Sequence, residues 1–174
     1  MNIPDASGHL DQMLRQTRQH HVQLSAMADV KANILLTLSS LIITFGIGYL
    51  SDPVLRWPVL VLILFCLATI VSAAYAVMPK LNFTRQNEPQ SGQNILFFGH
   101  FMHLSYPDYL EAMEKVMHTP GAAYEAQVRE VYELGLFLGH KKYRFIRLAY
   151  LCFISGLFLA GIVFVIVEMA LLVG

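Results

Sequence analysis

Residues 32–50 read ANILLTLSSLIITFGIGYL and contain no Asp, Glu, Lys, Arg or His. A helix of roughly 20 apolar residues crosses the hydrocarbon core of a bilayer. Such a helix closes its own backbone hydrogen bonds, which lipid cannot do for it. Two more stretches have the same character: 57–78 (WPVLVLILFCLATIVSAAYAVM) and 148–167 (LAYLCFISGLFLAGIVFVIV). Three such runs leave a chain of 174 residues too little amphipathic material to cover them as buried helices of a soluble core. The reading is an all-α membrane protein with three transmembrane helices. The first run follows a polar stretch of 31 residues. It lacks the basic n-region and short apolar core of a cleaved signal peptide, so it is expected to stay in the mature protein.

Composition agrees. Hydrophobic residues make up 56% of the chain and charged residues 14%, against about 25% charged in an average soluble domain. Mean hydropathy is +0.52. This excludes a disordered chain, which would be poor in apolar residues. Lys plus Arg number 12, as do Asp plus Glu. A nucleic-acid partner is therefore not expected, since it would call for a basic excess. Cys66 and Cys152 both fall inside apolar runs, with no second Cys or His at ligand spacing. They read as small buried apolar residues rather than a disulfide or metal site.

Orientation follows from the positive residues, which favour the cytoplasmic side. Arg15, Arg18 and Lys31 precede the first span. Lys80, Arg85, Lys115, Arg129, Lys141, Lys142, Arg144 and Arg147 lie between the second and third. Three spans put both groups on one side, so only Arg56 of the 12 falls on the other. The expected layout is a cytoplasmic helix over 1–31, continuous with a first span over 32–50. An external loop follows over 51–56, then a second span over 57–78. A cytoplasmic helical region over 79–147 leads to a third span over 148–173. Tyr49 and Trp57 stand where interfacial aromatics belong.

The polar segments are also helical in pattern. Ser7 is a candidate N-cap, and Leu10, Leu14, Thr17, His21, Leu24 and Ala28 recur at spacings of three and four. No Gly or Pro separates this face from the first span, which predicts one unbroken helix of about 40 residues. After Pro79, the stretch 82–92 is rich in Asn, Gln, Pro and Gly and reads as a loop. NILFFG at 94–99 is too short for periodicity to separate strand from helix. Ser105 with Asp108 resembles a capping box, predicting a helix to about His118. Thr119-Pro120-Gly121 breaks it. A further helix is expected from near Ala122 into the third span, with an apolar stripe at Tyr124, Val128, Val131, Leu134 or Gly135, and Leu138. Glu125–Arg129 and Arg129–Glu133 are expected i,i+4 pairs. Spans one and three would thus extend into a cytoplasmic helical bundle.

No residues call for catalysis. G-x-S-x-G, P-loop and Rossmann patterns are absent from the sequence, and the expectation is a non-enzymatic protein. His100 and His103 form H-x-x-H, but no Cys, Asp or Glu sits at helical spacing to complete a zinc site. Two features invite other functions. Asn33, Thr37, Ser40, Thr44 and Gly48 share one face of span one; Ala68, Ser72 and Ala76 do so on span two, and Gly156 with Ala160 on span three. Small residues let helices pack closely in lipid; the face of span one could also line a water path after assembly. Asp29, Lys31 and Asn33 stand at the mouth of span one, and Lys142, Tyr143, Arg144 and Arg147 at the mouth of span three. These residues suit anchoring to lipid phosphates. They equally suit a pocket for a small anion. With Asn94, Phe97, Phe98 and His100 they supply the amide, aromatic and cationic groups that a phosphate bearing a planar base wants.

Three segments resemble a known family. They are Ser25-Ala26-Met27-Ala28-Asp29-Val30-Lys31-Ala32-Asn33-Ile34-Leu35-Leu36, Asn94-Ile95-Leu96-Phe97-Phe98-Gly99-His100 with Leu104-Ser105-x-x-x-Tyr109-Leu110, and Lys142-Tyr143-Arg144-x-x-Arg147-x-Ala149-Tyr150. In order, and on this membrane layout, they resemble the Pycsar transmembrane effectors, over nearly the whole chain from about residue 10. The resemblance implies a bacterial anti-phage effector of the inner membrane. In that family a partner cyclase makes cyclic UMP or cyclic CMP on infection, and the effector responds by impairing the membrane, with growth arrest or death. It implies no cofactor beyond that nucleotide. The residues proposed for nucleotide contact come from their chemistry, and a homo-oligomer in the bilayer is expected. A scaffold subunit without a ligand, or a small channel or transporter, are the other classes. A proton-coupled transporter would want midplane charge, which the spans lack.

Overall fold

The structure, a computed structural model, describes residues 8–78 and 94–173. Ser7, Pro79, Lys80, Arg85 and the loop over 82–92 lie outside these residues. The described residues form helices and turns, with no strand among them. Helix α1 spans Gly8–Gly46 and ends in a 3-10 turn, Ile47–Ser51. Helix α2 covers Arg56–Val77, α3 Phe98–Phe101, α4 Tyr106–Met117 and α5 Pro120–Phe137. A π-helical segment, Leu138–Tyr143, leads into α6, Arg144–Val173. Three helical stretches are long and apolar enough to cross a membrane: Gly8–Ser51, Arg56–Val77 and Pro120–Val173.

Two compact units result. One holds the described parts of Met1–Leu24 and Pro79–Leu138; the other holds Ser25–Met78 and Gly139–Gly174. The second unit contains the apolar spans. Its core is built from small side chains: Ala28, Ala32, Ala73, Ala76 and Ala149, joined by Leu35 and Ile146. Lipid offers apolar side chains no hydrophobic reward for leaving it, so close backbone approach has to supply the attraction. Gly156 shows the requirement most directly, because a Cβ there would run into the Phe65 side chain. On α2 the buried positions include Cys66, Thr69, Ser72, Ala73 and Ala76. Ala68 of the expected small-residue stripe is exposed. Thr69 and Ser72 donate their hydroxyls to the carbonyls of Phe65 and Ala68, each at 2.8 Å, and so enter the contact with their polarity satisfied.

The first unit holds the expected inward face of α1: Leu14 is buried, and Leu10, Thr17, His21 and Leu24 are half-buried. Against it, Tyr124 donates its hydroxyl to Asp11 Oδ1 at 2.5 Å. That hydrogen bond, followed by burial and the Asp11 charge, holds the phenol above its ordinary pKa, so it remains a donor. Arg18 pairs with Glu130 at 3.0 Å. The His21 ring lies against Gly135, at 3.4 Å from where a Cβ would stand.

Several local readings sharpen. Residues 94–99 are neither a strand nor a single helical turn. Asn94 Oδ1 accepts from the Leu96 N–H at 3.1 Å, and Asn94 O from the Phe97 N–H at 3.1 Å, making a turn that feeds the short α3. Ser105 caps α4 and accepts from the Asp108 N–H. Helix α5 begins two residues before Ala122, because Thr119 caps it at 3.2 Å from the Ala122 N–H and Pro120 takes the first helical position, where its missing N–H costs nothing. The expected Arg129–Glu133 pair gives way to another contact. Glu133 accepts from Asn94 Nδ2 at 3.0 Å, while Arg129 faces Glu125 at 3.8 Å. The expected unbroken helix into the third span carries the π segment, which sequence periodicity does not mark.

Candidate functional site

Lys142 lies in the π segment and is buried, on the same face as Leu138 and Ile146. Its side chain is 11% exposed. The ammonium donates to both Asp29 carboxylate oxygens at 2.7 Å, to Ser25 Oγ at 2.8 Å and more loosely to Ser25 O at 3.4 Å. An ammonium has three protons, and these partners account for them. Single π turns inside α-helices are frequent at functional sites. The sequence reading groups Asp29 and Lys142 as candidates for one small-anion pocket. The structure brings them together as an ion pair, so an anion reaching Lys142 would have to displace Asp29. Around this clasp, Lys31, Asn33 and Arg144 are exposed, while Tyr143 packs partly against the alanine core.

The second group of candidates belongs to the other unit. Asn94 is 3% exposed and holds Glu133 with its amide. His100 Nδ1 lies 3.3 Å from Asn94 O, and Phe97 meets the His100 ring edge-on at 5.4 Å. Phe97 and Phe98 are exposed. Asn94, Phe97 and His100 therefore share one turn. Beside that turn lies a groove of about 230 Å³, with Lys115 and Val116 of α4 on one wall, Ala126 and Arg129 of α5 on the other, and Asn94 and Ile95 between. The sequence reading misses this groove, as well as Ser25 and Glu133. Lys115 and Arg129 sit on separate helices of ordinary charge pattern, and only the α4–α5 turn sets them on one groove.

The polar face of α1 lies on the outside of its unit. Asn33, Thr37, Ser40 and Thr44 are exposed. Asn33 and Thr37 line a shallow surface groove with Val30, Ile34 and Leu38. Thr44 donates its hydroxyl to Ser40 O at 2.9 Å. The buried face of α1 is marked instead by Ala28, Ala32, Leu35 and Ser39. Among the described residues no group of three His, Cys, Asp or Glu side chains is placed to hold a metal ion. Cys66 and Cys152 are free thiols.

Comparison with known proteins gives one family. The model of the Pycsar effector protein domain matches residues 12–167. No curated protein and no solved structure matches the chain. The matched residues take in α2 to α5, the π segment and all but the ends of α1 and α6, so the Lys142 clasp, the Asn94 turn and the α4–α5 groove all lie inside the domain. The chain belongs to the Pycsar effector family.

Proposed function

We propose that this protein is a non-enzymatic anti-phage effector of the bacterial inner membrane. It binds cyclic UMP or cyclic CMP made by a partner cyclase, and in response it assembles with further copies and makes the membrane leak. The observation that carries the proposal is the family match from 12 to 167 on a chain with three membrane-crossing helices. The polar segments are the side for the nucleotide, because 11 of the 12 positive residues fall there once Arg56 is set aside. The response belongs to the spans. Polar side chains in a span favour neighbours that hydrogen-bond them over lipid tails. The exposed Asn33, Thr37 and Ser40 give a second copy such a face. Nucleotide can drive the change only through unequal affinity for the resting and assembled states.

Thermal unfolding of the detergent-purified protein against a panel of cyclic mononucleotides tests the binding step. A ligand that binds only folded protein stabilises it by about 2.7 kcal/mol at a hundredfold excess over Kd. A Tm rise of several degrees is expected with cyclic UMP or cyclic CMP, and none with cyclic AMP or linear monophosphates. An unchanged Tm throughout would favour a ligand-free scaffold.

A further inference from the structure

We propose that the groove between α4 and α5 is the nucleotide site, with Arg129 and Lys115 taking the phosphodiester and Ile95, Val116 and Ala126 taking the base. This rests on the function proposed above. Cations from two helices meet at one groove, and neither is held firmly by its own helix. Lys115 pairs with Glu111 four residues away at 2.7 Å, both side chains being about 70% exposed. Pairs this exposed contribute little in water and are readily exchanged. Arg129 reaches Glu125 only at 3.8 Å. Its other i,i+4 neighbour, Glu133, is drawn away by the buried Asn94 amide at 3.0 Å. The Asn94 turn thus leaves Arg129 with a weak partner at a concave, partly apolar surface. A guanidinium in that state suits bidentate contact with a singly charged phosphodiester.

The rest of the lining fits the other end of such a ligand. A volume of about 230 Å³ lies below the usual 300–1,000 Å³ of drug-sized sites. It favours a mononucleotide over a dinucleotide. Glu125 also lines the groove, as the carboxylate that Arg129 faces at 3.8 Å.

Isothermal titration of the full-length detergent-solubilised protein with cyclic UMP and cyclic CMP tests this. Arg129→Ala removes the phosphate contact, and Ala126→Phe fills the groove without touching a charge. Each should weaken binding roughly ten- to a hundredfold, with helicity by circular dichroism unchanged. If one variant fails to fold, the other decides. Wild-type binding that both folded variants retain would place the nucleotide elsewhere and overturn this inference, leaving the proposed function intact. No wild-type binding to either nucleotide would overturn both.

Discussion

Asp29→Ala destabilises the protein more than Lys142→Ala does, and the double variant is less damaged than the two losses added together. Removing one member of a buried ion pair typically costs about 3–5 kcal/mol, because the remaining charge is left without a partner. The two members here are not equally buried: the Lys142 side chain is 11% exposed and that of Asp29 40%. Asp29→Ala strands the deeper charge and should cost about 3 kcal/mol. Lys142→Ala leaves a carboxylate that water partly reaches, which brings the loss down to about 1–2 kcal/mol. The double variant strands neither and should sit near Lys142→Ala alone. Urea or thermal unfolding of the four proteins closes the cycle. Strict additivity would mean that the clasp contributes no coupling.

Thr37→Leu together with Ser40→Leu leaves nucleotide binding intact and reduces vesicle leakage to the level of empty vesicles. Both positions are exposed on α1, away from its buried stripe at Ala32, Leu35 and Ser39. The substitutions therefore leave the alanine core alone and remove two hydroxyls from the outer face. On the proposed mechanism that face either lines the water path or forms the polar contact between copies. Leucine supplies neither function and is favourable toward lipid. Thr44 is a weaker choice for the same test, because its hydroxyl is already satisfied by Ser40 O. Full leakage from the Thr37/Ser40 variant would show that this face is not where the membrane is breached.

The three long apolar helices were legible in the sequence for a physical reason. Lipid demands long uncharged helices, and the three runs beginning at Ala32, Trp57 and Leu148 match α1, α2 and α6. Local chemistry was legible too. Ser105 announced its helix because capping needs only residues near in sequence, whereas Thr119, read with Pro120 and Gly121 as a break, also caps the helix that follows. What escaped depends on residues far apart. The Lys142–Asp29 contact joins positions 113 apart: the stripe through Leu138 continues at Lys142, but no local pattern shows that Asp29 meets it. The π segment that contains Lys142 leaves no periodic trace. The Asn94 turn was ambiguous because six residues cannot establish a period. Its outcome was set by the Asn94 side chain, whose two ends hold Leu96 and Glu133. The α4–α5 groove follows from that turn and was invisible for the same reason.

The central claim is that a cyclic pyrimidine nucleotide makes this protein permeabilise a membrane. Dye release from vesicles carrying the purified full-length protein, with cyclic UMP, cyclic CMP, cyclic AMP or no nucleotide added, tests it most directly. Release that begins only on addition of cyclic UMP or cyclic CMP is the predicted result. Equal release with and without nucleotide, or none with any of them, would contradict it.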